Sequence, residues 1–310
     1  MKELLGLRGI VTVLNTPFTN DDKIDVDALK RNVKEAIAAG VAGFLVPAMA
    51  SEVDKLSDAE RGDMIAATLD MAKGKVPVIG GASASTPEAR ARHAKAIIDA
   101  GCDGVLASIP YHDDRQYTRD VTALAKIDPP FIMLQDWASS GNGLPVPLIA
   151  RLFEDIDAFK ALKIEVPMAS IKYTQVYGAT GGRLHLSGGW AVMQMIEGLD
   201  RGLHAFMPTA LHWTYSRIFK LYQSGRRPEA RALFNKILPV LAFSNQHIDI
   251  SIHFFKRLLH EQGIYPTSRV REPIMPFDPV HEKIATELVN HAILVELEAK
   301  GASKSHKGES

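Results

Sequence analysis

Short apolar runs rich in Val, Ile and Leu recur along the chain, separated by longer stretches with helical spacing. The runs are GIVTVL (9–14), GFLVPA (43–48), VPVIGG (76–81), GVLASI (104–109), PFIMLQ (130–135), FKALKI (159–164), LHLSGG (184–189) and HAFMPT (204–209). Runs of this length bounded by Gly and Pro read as buried strands. The stretches between them carry helix start and stop signals. DVDALKRNVKEAIAAG offers Asp25 as a cap and stops at Gly40, and TPEARARHAKAIIDAG opens on Thr86-Pro87 and stops at Gly101. Eight strand and helix units predict an α/β protein, a (β/α)8 TIM barrel, ahead of a doubly wound open sheet, which has fewer strands.

After the eighth run the alternation ends. TYSRIFKLYQSG, PEARALFNKILPVLAFS, ISIHFFKRLLHEQG and HEKIATELVNHAILVELEA follow one another without strands. They predict a barrel over 1–215 and a C-terminal helical extension over 216–300, bent at the Pro-rich REPIMPFDP (271–279). The last ten residues, GASKSHKGES (301–310), have no large apolar side chain and read as a disordered tail.

Composition narrows the partners. Lys plus Arg equals Asp plus Glu at 36 each, so no global field draws the chain to nucleic acid or to an anionic membrane. One cysteine, Cys102, excludes an internal disulfide and fits a reducing compartment. The N-terminal MKELLGLRGIVTVL is broken by Arg8 and Gly9 before any long apolar run, unlike a signal peptide or a membrane span, which predicts a cytoplasmic protein. The eleven histidines form no HxH or HExxH pattern, so no metal site is expected, and no glycine-rich phosphate motif occurs.

The chemistry centres on FKALKIE (159–165). A period of two puts Phe159, Ala161, Lys163 and Glu165 on one face and Lys160, Leu162 and Ile164 on the other. Leu162 and Ile164 suit packing on the outer helices, which leaves Lys163 facing the barrel mouth, where such barrels carry their sites. A desolvated lysine can act as a neutral amine that attacks a carbonyl carbon and forms a Schiff base. An inward Lys beside a Glu can equally be a buried ion pair, in which the carboxylate works against nucleophilicity.

GIVTVLNTPFTNDDKIDVDALKRNV, VPVIGGASASTPEARARHAKAIIDAGCDGVLASIPYH and KRLLHEQGIYPTSRVREPIMP resemble the dihydrodipicolinate synthase and N-acetylneuraminate lyase family of pyruvate-type aldolases. The resemblance implies a (β/α)8 barrel in which Lys163 falls at the family's Schiff-base lysine. It also implies departures. Where the family has Gly-Thr-Thr-Gly-Glu to hold a 2-oxo acid carboxylate, this chain reads AMASE, Ala48 to Glu52. The backbone N–H groups of Met49, Ala50 and Ser51 would take over that task. Where the family ends its fifth strand with a proton-shuttling Tyr-Asn, the chain has Leu134 and Gln135, and Leu134 cannot relay a proton. Glu165, and after it Asp136, become the expected acid and base. Gly188 and Thr209, at the ends of the seventh and eighth runs, are expected to bind substrate. Tyr111, His112, Trp190, His212 and Trp213 are weaker candidates near strand ends.

The expected activity is that of a class I Schiff-base lyase of the aldolase type on a 2-oxo acid or aldehyde, with no cofactor. A dehydratase of a sugar-derived 2-oxo acid using the same imine is the alternative, and a barrel that only binds a small carboxylate is the non-enzymatic one. The resemblance further implies a homodimer or homotetramer.

Overall fold

The computed structural model describes residues 6–305. The strands are β1 (Gly9–Val13), β2 (Gly43–Val46), β3 (Val78–Gly81), β4 (Gly104–Ser108), β5 (Ile132–Trp137), β6 (Phe159–Glu165), β7 (His185–Gly188) and β8 (Ala205–Phe206). The helices are α1 (Val26–Ala39), α2 (Asp58–Ala72), α3 (Pro87–Ala100), α4 (Asp114–Ala125), α5 (Val146–Asp155), α6 (Ala169–Ala179), α7 (Met195–Asp200), α8 (His212–Gln223), α9 (Arg227–Ser244), α10 (Ile248–Glu261) and α11 (Pro279–Ser305). All eight apolar runs become strands, and every pair of neighbours is parallel. The barrel closes where β8 meets β1 through Gly9 beside Ala205 and Ile10 beside Phe206.

Local chemistry sets the helix ends. The Asp25 carboxylate accepts from the Ala28 N–H at 2.8 Å, and Gly40 ends α1 in the left-handed region at φ 82°. Thr86 caps α3 ahead of Pro87, and Gly101 closes it at φ 92°. Strand alternation then sorts the apolar residues into two layers. Val11, Val13, Leu45, Ile79, Leu106, Met133, Ala161, Ala205 and Met207 fill the barrel interior, while Leu134, Leu162, Ile164 and Leu186 join the larger core beneath the helices. One residue breaks the expected alternation. The β5–β6 register shifts between Ile132 and Met133, whose partners are Phe159 and Ala161. Phe159 therefore packs outward, edge-on to Phe153 of α5 at 6.5 Å, instead of sharing the Lys163 face.

The extension is fastened to the barrel by buried charge. Lys256 of α10 is fully buried, pairs with the Glu52 carboxylate, donates to Arg269 O at 2.7 Å and lies 4.2 Å from the Phe18 ring centre. Burial brings the Lys256 pKa down to about 8, against the pull of Glu52. The remaining Glu52 oxygen accepts from the Arg271 N–H at 2.8 Å. Glu296 of α11 caps α8, taking the N–H groups of Trp213 and Thr214 at 2.9 Å each. The eighth barrel helix straddles the division at 215/216, and α11 carries the first five residues of the expected tail as helix. The other five, and the first five of the N-terminal segment, lie outside the described residues. Among the described residues no helix is long and apolar enough to cross a membrane.

Candidate active site

Lys163 lies one residue short of mid-strand from the end of β6, 5 % exposed, at the floor of a cavity of about 630 Å³ over the C-terminal mouth of the barrel. Its Nζ is 3.2 Å from Glu165 Oε2. The carboxylate of Glu165 is held from two further directions. Gln135 Nε2 donates to Oε2 at 2.5 Å, and the Trp190 backbone N–H donates to Oε1 at 2.8 Å. The same strand period that turns Lys163 inward turns Glu165 inward, so the amine and the carboxylate share one polar spot in an otherwise apolar floor of Val13, Ala48 and Met207.

The structure moves several expected residues. Asp136 does not reach the mouth: it shares the outward face of β5 with Ile132 and Leu134, pairs with Lys172 of α6 and accepts from the Leu144 N–H at 2.8 Å. Burial pushes its carboxyl above the ordinary range, with Lys172 pulling the other way. Leu134 is likewise outward, in the helix-facing core. The β5 residue in register with Lys163 is Gln135, so glutamine, not leucine, stands at the inward position. Like leucine, an amide has no readily exchanged proton of its own for acid and base work.

On the opposite wall Met49 and Ala50 line the cavity in a single 3₁₀ turn. Ser51 does not. Its hydroxyl accepts from Ala48 N and donates to Leu14 O at 2.5 Å, and its own N–H donates to Ala48 O at 2.8 Å. It is a framework residue because the turn needs those groups to close. Asn15 and Thr16 hold the turn from β1's end, donating to Ala50 O at 2.8 Å and Ser51 O at 2.6 Å.

Thr209 lines the cavity, just before two left-handed residues, Ala210 (φ 54°) and Leu211 (φ 50°). Gly188 shares the outward face of Leu186, and it is Gly189 that lines the cavity. A Cβ on Gly189 would stand 2.0 Å from Glu165 Oε1 and 2.5 Å from Lys163 Cε, so only glycine lets the chain pass over the pair. Of the weaker candidates Trp190 lines the cavity. Tyr111 is exposed with its hydroxyl on Asp114, and His112 is exposed. His212 is buried beneath, with Nε2 2.8 Å from Asn32 Oδ1, and burial lowers its pKa to about 4. Trp213 donates from its indole to Glu35. Among the described residues no group of three or more His, Cys, Asp or Glu side chains is placed to hold a metal ion.

Sequence reasoning missed Gln135, Gly189 and the corner between α9 and α10, whose Asn245, Gln246, His247 and Ser251 also line the cavity. Strict alternation from Met133 would have found Gln135, and the Gly-Gly pair marked a close approach. The corner carries no local signal.

The arrangement combines an amine, an adjacent carboxylate fixed by donors, and a walled space for a ligand. The sequence model of the dihydrodipicolinate synthetase family matches residues 6–292. L-2-keto-3-deoxyarabonate dehydratase of Azospirillum brasilense is 29% identical over 287 residues, covering 88% of this chain and 90% of that protein. In fold the chain is similar to 4-hydroxy-tetrahydrodipicolinate synthase from Methylacidiphilum fumariolicum SolV, with a TM-score of 0.85 and 21% identity over 95% of this chain and 98% of that one. It is similar also to sialic acid aldolase from Ruminococcus gnavus, with a TM-score of 0.83 and 15% identity over 94% and 99%.

Proposed function

The chain belongs to the dihydrodipicolinate synthetase family, whose members are lyases, and on that premise we propose that it acts on a 2-oxo acid through an imine at Lys163. The observation that carries this reading is the buried Lys163 Nζ on the cavity floor, 3.2 Å from the Glu165 carboxylate. The amine adds to the C2 ketone and water leaves, giving a protonated imine that draws electrons from C3. In an aldolase the C4 hydroxyl then gives up its proton, the C3–C4 bond breaks and its electrons form an enamine. In a dehydratase a C3 proton leaves first, and the enamine expels the C4 hydroxyl as water once it is protonated. Hydrolysis of the final imine frees the product and returns the lysine. Glu165 is the group that moves the proton in either course, and the N–H groups of Met49 and Ala50 receive the substrate carboxylate.

The dehydratase course is favoured by the similarity over 88% of the chain to a protein named as a dehydratase. Borohydride with pyruvate should add one reduced adduct per chain, lost in Lys163→Ala. An adduct on another lysine, or none, overturns the proposal. Turnover of a 2-oxo-3-deoxy sugar acid then separates the courses, since release of pyruvate marks cleavage and loss of 18 Da, the mass of water, marks elimination.

We also place the protein in the cytoplasm, consistent with one free cysteine, Cys102, and propose a homodimer or homotetramer. Exposed Tyr111, Met168 and Ile171 support association. Light scattering at micromolar concentration that returns a 33.9 kDa particle would contradict it.

A further inference from the structure

The cavity above Lys163 exceeds what a three-carbon reaction centre fills. At about 630 Å³ it has the volume of sites that enclose ligands of many heavy atoms. Its floor is barrel, but its outer wall is the corner of the helical extension, where Asn245, Gln246 and His247 connect α9 to α10 and Ser251 follows one turn later. Gln194, after β7, faces the same space, and its Oε1 is buried without a protein donor. Asn245 is held by Trp190 O at 3.5 Å and Ser244 Oγ at 3.3 Å, which leaves one donor and one acceptor site on its amide.

The charges on this wall are as informative as its hydrogen-bonding groups. Among the described residues lining the cavity Lys163 is the one Lys or Arg, and it sits on the floor. His247 has its Nδ1 occupied, accepting from the Asp249 N–H at 3.2 Å and lying 3.7 Å from that residue's carboxylate, so Nε2 is the nitrogen it has left for a ligand. A second carboxylate on a ligand would lose its water here without meeting a fixed cation, which is unfavourable. Hydroxyl groups would instead meet neutral groups able to donate and accept.

We propose that Gln194, Asn245, Gln246 and Ser251 form the specificity wall of the site, binding the uncharged, hydroxylated tail of a 2-oxo acid with a single carboxylate and disfavouring dicarboxylic substrates. This rests on the imine reading for where the reacting end lies. It goes beyond that reading in assigning selection of the tail to the helical extension.

Three probes test it: pyruvate, a six-carbon 2-oxo-3-deoxy aldonic acid, and the matching diacid. In borohydride trapping the aldonic acid half-saturates the wild-type protein at the lowest concentration, and the diacid needs at least about tenfold more. Gln246→Leu and Gln194→Leu each shift the ratio of half-saturation for aldonic acid to that for pyruvate by about fivefold, the size of one lost neutral hydrogen bond. Calorimetric titration of the same acids into Lys163→Ala reads the wall without the imine and keeps the same order. Failure of pyruvate to trap overturns the imine alone. A diacid that binds as tightly as the aldonic acid in the calorimeter, or an unchanged ratio in both variants, overturns the wall.

Discussion

Glu165 is the most constrained side chain of the site. Its Oε1 takes the Trp190 N–H, its Oε2 takes Gln135 and faces Lys163, and Gly189 passes directly over it. A carboxylate with that many donors could be a structural counter-ion, and the two roles differ in kind. If it moves the proton, Glu165→Gln still traps the imine, slowly, and turnover falls by about two to four powers of ten. A purely structural role would lower stability, because Lys163 would lose its buried partner, without a selective loss of turnover. Gly189→Ala is the harsher change, since its methyl group displaces both Glu165 and Lys163. Trapping and turnover should fall together, and a variant that keeps either at wild-type level would show that the backbone at 189 can yield.

At the scale of elements, what was legible in the sequence is what local patterns encode. The eight apolar runs and the Asp25, Thr86, Gly40 and Gly101 signals gave strands and helices because burial and capping act over a few residues. Period two gave the inward pair Lys163 and Glu165 for the same reason. The register shift opposite Phe159 and the outward turn of Asp136 depend on neighbours across the sheet, and the α9–α10 corner reaches the cavity only through tertiary packing. Asp136 has a use at this scale. With Lys172 it fixes the loop between β5 and α5: Asp136 takes the Leu144 N–H, Lys172 donates to Asn142 O, and a Cβ on Gly143 would strike Asp136 Oδ1 at 2.2 Å. Ala138 and Ser139 of that loop line the cavity. Lys172→Met leaves a buried carboxylate unpaired and should cost about 3–5 kcal/mol in urea unfolding. Adding Asp136→Asn removes that charge and should recover part of the loss, and a double variant no more stable than Lys172→Met would contradict the pairing. Because the loop only borders the site, KM should rise more than kcat falls.

Across the whole molecule a buried chain of hydrogen bonds links the barrel, the extension and the site turn. Thr12 reaches His212 of α8 at 3.4 Å, His212 reaches Asn32 of α1 at 2.8 Å, and Asn32 donates to the Tyr265 hydroxyl at 3.0 Å. Tyr265 donates to Asn15 O at 2.9 Å, and Asn15 donates to Ala50 O. The partners fix the tautomer: Nε2 carries the proton toward Asn32 Oδ1, and Nδ1 accepts from Thr12. Protonating His212 would turn Nδ1 from acceptor to donor, so the Thr12 hydroxyl would have to reverse, and would place a cation in the core, whose burial holds the pKa at about 4. His185, under the barrel with Nε2 2.6 Å from Leu7 O, is lowered by burial to about 3. Both native values lie below the unfolded histidine value near 6.5, so between them the unfolded chain binds more protons than the native one. Stability from these groups is complete above about pH 6.5 and is lost as pH falls toward the native values, by about 2 kcal/mol per residue at pH 5. Urea unfolding at pH 7 and pH 5 checks this. His212→Gln, although less stable at pH 7, should lose about 2 kcal/mol less than wild type on acidification, because the carboxylates that titrate in both proteins cancel in the comparison. Equal losses in the two proteins would mean that His212 takes up a proton in the native state as readily as in the unfolded one, and the first link of the chain would then have to be drawn with Nδ1 donating to Thr12.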